Sequence, residues 1–236
     1  MPTAPTAYRF QTVRGRTLRL TKLDQCGNPV GGAGASYVTQ SFVTLKAAKN
    51  MDNGNEIKQN RADDTVDLFL KGQNSLLDFD MEIDFSANDT AALPLLSGDA
   101  AVLDWQNAVS GWEEQSGVPS AAAFALELWT GVAGQCAGTN QRYGYWLYPF
   151  ITNAYVDVDD IDNGAKQFMI KANTQVGNAW GKGPYTVVAG DTSNTPSRLL
   201  QPMSASAHRH FEVTTIAPPA PTAAAGLASL TLPTPY

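Results

Sequence analysis

The chain has 236 residues and a formal net charge of -6 with a sequence pI near 4.8, so it carries no overall basic footprint for gripping nucleic-acid phosphates. Its 43% hydrophobic content is that of an ordinary globular protein, and its length suits one large β domain with appendages. No apolar run approaches the roughly 20 residues of a spanning helix. MPTAPTAYRF also opens without the basic region and apolar core of a secretory leader, so cytoplasmic synthesis is expected.

Residues 1–16 read as an N-terminal arm, and MPTAPTA at its start shares its Pro/Ala/Thr composition with a second arm over 217–236. The C-terminal arm ends with Leu227, Leu230, Leu232 and Tyr236. These either strap back onto the same subunit or dock on a neighbour. Between the arms, residues 17–216 form the expected body. Thr17–Leu23 alternates around Leu18 and Leu20, and DQCGNPVGGAG over 24–34 is a turn cluster. Tyr37–Leu45 is β-branched and aromatic, as one strand would be. The segment 46–64 is polar and mixed in charge, with Asn53-Gly54 at its centre. That dipeptide is a strong hairpin-turn signal, so a long polar hairpin standing off the body is expected, turning there.

Asp67–Lys71 is a short strand, and Asp78–Phe85 alternates cleanly. Phe79, Met81, Ile83 and Phe85 fall on one face, with Asp78, Asp80, Glu82 and Asp84 on the other. Residues 86–97 predict a helix capped by Asn88 or Asp89 and closed by Gly98, with Pro94 at odds with its interior. Trp105 and Trp112 suggest a packed excursion with a short helix over 102–109. Phe124–Trp129 and Tyr143–Phe150 are two aromatic-rich strands joined by a Gly/Asn/Thr turn. Trp129, Tyr143, Tyr145, Trp146, Tyr148 and Phe150 load both faces of this pair, so a second sheet, a helix or another subunit must cover it. Ala154–Val158 and Ala165–Ala172 flank the turn DDIDNG. GNAWGKGP over 177–184 is a glycine-rich loop pinned by Trp180, followed by strands at Tyr185–Val188 and Arg209–Thr215. The expected fold is mainly β, an antiparallel sandwich or barrel of nine or ten strands with one flanking helix, a long projecting hairpin and extended terminal arms.

Chemistry finds little purchase. Cys26 and Cys136 have neither the number nor the spacing of a disulfide framework or metal site. They read as two buried or loop thiols, with a late-forming bridge as the alternative. Asp157, Asp159, Asp160, Asp162 and Gly164 miss the calcium-loop register. His208 and His210 share a strand face without acidic or thiol company. Asp80, Glu82 and Asp84 project side by side, and nothing indicates an apolar pocket to raise one pKa for glycoside hydrolysis. No enzyme, cofactor or metal is expected.

ELWTGVAGQC (127–136), YGYWLYPF (143–150) and GNAWGKGPY (177–185), with TKLDQCGNPV (21–30), resemble the major tail proteins of long-tailed phages (siphophages) infecting actinobacteria. The resemblance spans about residues 17–216. It implies a structural virion protein of the tail, a subunit closed into hexameric rings. The rings stack on copies of themselves into a tube whose bore conducts the genome during ejection, without specific DNA binding. Tape measure protein and tail terminator would be partners, and the tube body would make no membrane contact.

On this resemblance Asp80, Glu82 and Asp84 suit a bore wall that keeps DNA mobile by like charge, or else an ordinary solvated outer face. Lys46, Lys49, Asp52, Asn53, Gly54, Glu56, Lys58 and Arg61 would form the hairpin that meets the next ring through complementary charges. The alternatives are another β-rich virion component (a tail terminator or head decoration protein) or a carbohydrate-binding β-sandwich stacking sugars on Trp105, Trp112, Tyr143 and Trp146.

Overall fold

Alternation along the chain decides which residues become strands. In the computed structural model, which describes residues 11–86, 89–116, 122–134, 141–158, 168–222 and 228–233, Phe79, Met81, Ile83 and Phe85 are buried, and Asp80, Glu82 and Asp84 between them reach solvent. The same two-residue period recurs across the molecule. The strands are β1 (Thr12–Leu23), β2 (Gly32–Thr39), β3 (Phe42–Asp52), β4 (Ile57–Asn60), β5 (Val66–Leu70) and β6 (Ser75–Phe85). After helix α1 (Ala92–Ser97) come β7 (Ala100–Leu103), β8 (Val109–Glu113), β9 (Ala123–Val132), β10 (Tyr143–Val158) and β11 (Phe168–Thr174). The short strands β12 (Val188–Ala189), β13 (Pro196–Ser197), β14 (His210–Thr214) and β15 (Ala228–Leu230) follow.

One antiparallel nine-stranded sheet carries the fold, in the order β15-β2-β1-β9-β10-β11-β6-β3, with β14 beside the first half of β10. Its centre is the aromatic pair β9–β10, registered Tyr145 opposite Trp129 and Tyr148 opposite Leu126. Phe124, Leu126 and Leu128 point into a core shared with Leu18, Leu20, Met81, Ile83, Ile170 and α1. Ala125, Trp129, Tyr143, Tyr145 and Leu147 point the other way, onto Trp180, Val187, Val188 and Leu199. An irregularity between Tyr148 and Ile151 reverses the facing of β10. Phe150 therefore joins the second cluster and Ile151 the first, as an inserted residue does in a bulged strand. The expected two-sided cover comes from within the chain.

The sheet folds back on itself. A side chain added at Gly15 of β1 would lie 2.6 Å from the ring of Phe42 on β3, so glycine admits the close approach of the sheet's far end. The result is a mainly β, antiparallel sandwich with one short helix on its flank. That helix is shorter than the 86–97 expected. Asp89 closes the turn before it, accepting from the Ala91 N–H at 3.0 Å through Oδ1. Pro94 lies in the first turn, where a missing N–H breaks nothing. Gly98 ends the helix at φ 76° with its N–H on the Pro94 carbonyl at 3.0 Å, a left-handed cap.

Several expectations are corrected. Tyr37–Leu45 is two strands, β2 and β3, parted at Gln40–Ser41. Residues 102–109 form no helix. They make the β7–β8 hairpin, turned where Asp104 Oδ1 accepts the N–H groups of Gln106 and Ala108 at 2.8 and 2.9 Å. Trp112 packs edge-on against Phe168, centroids 6.0 Å apart, but Trp105 is 88% exposed at the tip. The N-terminal arm ends earlier than residue 16, because β1 already pairs with β9 from Thr12. The C-terminal arm straps back onto its own subunit through β15, which pairs with β2 and buries Leu230. The Gly/Asn/Thr turn, the DDIDNG turn, Cys136, Leu227 and Tyr236 lie outside the described residues.

Candidate functional site

β3 and β6 pair along the edge of the sandwich, where β6 is also joined to β11 from Phe85 to Asp80, and then run on as a two-stranded ribbon; this pair and its continuation hold the charged side chains singled out in the sequence. Across it Lys46 lies opposite Glu82, Ala48 opposite Asp80 and Asp52 opposite Ser75. Beyond Asp52 the ribbon narrows to a waist and continues as β4–β5, registered Ile57 opposite Leu70 and Lys58 opposite Phe69.

Asn53-Gly54 is therefore not the turn. Gly54 sits at the waist with φ 64°, its N–H donating to Asp52 Oδ1 at 3.0 Å. A Cβ at Gly72 would come within 2.6 Å of the Gly54 carbonyl carbon, so two glycines let the strands cross in contact. The reversal comes at residues 61–65. There the Arg61 N–H donates to the Thr65 carbonyl at 2.7 Å, Arg61 Nε meets Asp67 Oδ1 at 2.7 Å, and Asp63 Oδ1 accepts the Thr65 N–H at 3.1 Å. The Thr65 hydroxyl also donates to Asp63 Oδ1, at 2.5 Å, and this bond together with the Thr65 N–H favours the charged Asp63 carboxylate and lowers its pKa. Asp64 takes a positive φ of 62°.

Every residue of β4 and β5 is exposed. Ile57, Leu68 and Leu70 share one face by register, and Val66 joins them by the period of β5; these four are 41–55% exposed. The opposite face carries Lys58, Asp67 and Phe69. Glu56 lies exposed at the waist and Lys49 is exposed on the β3 face opposite Phe79. The expected charged hairpin thus has an apolar face as well, supplied by Ile57 and by Val66, Leu68 and Leu70 after the reversal.

The acidic row is placed as the alternation demands, but each carboxylate has company. Glu82 Oε2 accepts from Lys46 Nζ at 2.8 Å, and Asp80 Oδ1 from Asn173 Nδ2 at 2.7 Å. Asp84 accepts from the Thr44 hydroxyl. Lys171, opposite Glu82 on β11, turns to Asp157 at 2.8 Å, which raises its pKa. Lys46 is thus occupied within its own chain. The face remains acidic, with Asp80 and Asp84 held by neutral partners.

The aromatic candidates are core. Trp129, Tyr143, Tyr145, Tyr148, Phe150 and Trp180 are buried. Trp146, partly buried, lies 4.2 Å from the Phe211 ring centroid, with the Arg209 guanidinium 5.5 Å from its own ring. Tyr143 and Trp146 occupy opposite faces of β10, and Trp112 is packed. Trp105, Trp112, Tyr143 and Trp146 therefore share no exposed sugar platform.

The sequence reading missed a buried ion pair at the centre of the sheet. Arg19 on β1 grips Glu127 on β9 through two bonds, Nε to Oε2 at 2.5 Å and a terminal nitrogen to Oε1 at 2.7 Å. The Tyr145 hydroxyl donates to Glu127 Oε1 at 2.6 Å, and the Arg19 guanidinium lies 3.3 Å from the Tyr185 ring centroid. Thr21 and Ser36 complete the network through the Tyr185 hydroxyl, at 2.8 and 3.0 Å. Burial disfavours the Arg19 charge, but the Glu127 carboxylate outweighs it and the pKa rises. A glutamate in the apolar run FALELWT was the available signal, because a buried charge requires a partner.

Four tyrosines hold their protons in the fold. Burial raises the Tyr145 hydroxyl well above the phenol range, with the Glu127 charge adding to it. Burial also raises Tyr148 and Tyr185, and pushes Tyr37 up to about 12. Unfolded tyrosine ionises near pH 10. Above that point the unfolded chain sheds protons that the fold retains, so stability, constant below it, falls with rising pH. The slope is at most about 1.4 kcal/mol per pH unit for each such tyrosine. Thermal melts followed by circular dichroism are expected to be flat from neutral pH up to about pH 10 and to drop beyond it; a midpoint unchanged well into that alkaline range would contradict the burial argument.

Elsewhere, Cys26 is an exposed free thiol. His208 is buried with Nδ1 2.9 Å from Thr174 Oγ1, and His210 lies 3.5 Å from Glu212. Of the acidic turn, only Asp157 and the start of the hairpin fall within the described residues. Among those residues no three metal-ligating side chains converge, and no helix is long and apolar enough to cross a membrane. Compared with known proteins, the sequence matches no family model and no curated protein.

Proposed function

We propose that this chain is a structural subunit of a phage tail tube, closing into rings that stack on copies of themselves and leave a bore for the genome. The observation that carries the reading is the β4–β5 arm. An element wholly exposed, with Ile57, Val66, Leu68 and Leu70 on one face, buries nothing in its own subunit and suits a partner's surface. Its stem adds a second requirement. β3 is an 11-residue strand at the end of the sheet order, and such a long edge is a template for pairing with another chain.

The acidic face of β6 fits a bore wall, since uncompensated carboxylates repel phosphate and leave DNA mobile. In this role the subunit needs neither catalysis nor cofactor, and its home is the virion tail. Negative-stain electron microscopy of the purified chain over rising concentration tests the reading. Hollow tubes or stacked rings are expected. Single rings that never stack would move it to a tail terminator. Monomers at every concentration would move it to a decoration protein or, with Trp105 fully presented, to a sugar-binding module open to a glycan screen.

A further inference from the structure

The two ends of β6 are unlike, and each presents an apolar surface. At its Ser75 end the arm β4–β5 leads away, with Ile57, Val66, Leu68 and Leu70 on one side. At its Phe85 end the chain turns into α1 and the β7–β8 hairpin. Trp112 roots that hairpin there by packing on Phe168, the residue opposite Phe85. Thr90, ahead of α1, also donates its hydroxyl to the Val109 carbonyl at 2.8 Å. Between α1, this hairpin and the adjoining ends of β1 and β9 lies a groove of about 370 Å³. Among the described residues its walls include Leu23, Pro94, Leu95, Ala101, Val109 and Ala123, and Lys22 is the one charged side chain on them. Leu103, 52% exposed, extends the Ala101 side of β7 outward by the period of the strand.

We infer that this groove is the seat of the β4–β5 arm of a second copy, so that copies join head to tail. The inference rests on the reading of the chain as a stacking subunit and names the surface on which the arm lands. β6 spans 11 residues, roughly 35 Å at about 3.3 Å per residue, and the arm runs on from the end opposite the groove. Its own groove is therefore out of its reach, and a copy set in the same orientation brings the two surfaces together. Such a contact between unlike patches is heterologous: every copy offers both halves, and the contact repeats without closing, as stacking requires.

The chemistry of the two surfaces matches as well as their placement. An aliphatic row meets aliphatic walls. The tip of the arm is acidic, since Asp63 and Asp64 are exposed and Arg61 beside them is turned to Asp67 at 2.7 Å. Lys22, exposed on the groove, supplies the opposite charge, which sets the register of docking. An arm of two short strands falls short of the roughly 1,000 Å² of a lasting pairwise interface. One such contact is weak alone and holds where a ring repeats it at each subunit.

The test uses full-length chains in which Cys26 and Cys136 are replaced by serine. One carries Gln59→Cys, on the apolar side of the arm opposite Leu68, and the other Ala101→Cys, on the groove wall. Both positions are exposed, so neither change disturbs the core. Mixed at ~1 mM and oxidised, they are expected to form a mixed disulfide dimer, identified by mass spectrometry of the bridged peptides, at least tenfold above the yield at ~10 µM. Leu68→Asp with Leu70→Asp in the first chain is expected to remove it, and Lys22→Glu in the second to cut it roughly fivefold. A single chain carrying both cysteines is expected to give a ladder of linked copies and no internal bridge. An internal bridge would mean that the arm folds onto its own groove. A mixed dimer indifferent to the leucine changes would mean random collision, and none at ~1 mM would hand the groove to another occupant. Each of these three results overturns the inference. Microscopy of the parent chain scores tube growth separately: tubes without the mixed dimer sink only this contact, and the mixed dimer without tubes sinks only the tube.

Discussion

Replacing Glu127 with alanine is expected to destabilise the subunit by about 3–5 kcal/mol, a large part of the roughly 5–15 kcal/mol that holds a typical domain. The reason is what remains. Arg19 is 6% exposed, and its guanidinium would keep its charge in a site with no anion, since it cannot shed its proton. The Tyr145 hydroxyl would lose its acceptor at the same time. Arg19→Ala should be milder, because a buried carboxyl group without its cation can neutralise itself by taking a proton. Replacing the set together, Arg19→Met with Glu127→Leu and Tyr145→Phe, removes every orphan and is expected to recover most of the loss. Urea unfolding of the variants, compared as a cycle, measures this directly. A Glu127→Ala cost below about 1 kcal/mol would mean that water reaches the site and the pair is not the closed network described.

The sandwich itself was legible because burial imposes a period of two. Asp78–Phe85 could be assigned to its two faces residue by residue, and the aromatic crowding of 143–150 announced strands covered on both sides. What failed depended on partners far along the chain. Asn53-Gly54 has the local chemistry of a turn, but β3 pairs with β6 from Phe42 to Asp52, and that long ladder carries the strands past it. Gly54 then serves close approach to Gly72 and not reversal. The reversal went to Asp63-Asp64, whose side-chain bonds to backbone are an equally local device. Nothing within ten residues distinguishes the two sites; the ladder does.

The same distance hid the pairing of charges. Lys46 looked free to meet another subunit, yet Glu82, 36 positions away, lies directly across from it. Trp105 failed for a different reason. Large apolar residues are usually packed, so an indole held out on a rigid turn reads as core until the hairpin is seen. Glu127 was legible in principle, since a lone acid in a fully apolar strand must find a cation, but only the register of β1 against β9 identifies Arg19.

Leu68→Asp with Leu70→Asp is expected to abolish self-assembly and leave the folded subunit intact. Both leucines lie on the apolar face of β4–β5, 41% and 53% exposed, so their replacement strips nothing from either core. The melting midpoint should move little, as for other surface changes of about ±0.5 kcal/mol or less. In a contact between copies the same two carboxylates would be buried without cations, at several kcal/mol. A loss of about 4 kcal/mol weakens one contact roughly a thousandfold, and a ring repeats that contact at every subunit. Sedimentation and negative-stain microscopy at matched concentrations measure the loss. Lys58→Asp, on the opposite face of β4 across from Phe69, changes the net charge by the same two units without touching the apolar row and is expected to leave growth intact. Tubes formed by the leucine variant would place the stacking contact elsewhere and leave the exposure of this arm unexplained. Loss of growth in both variants would indicate that added charge alone, and not this face, blocks assembly.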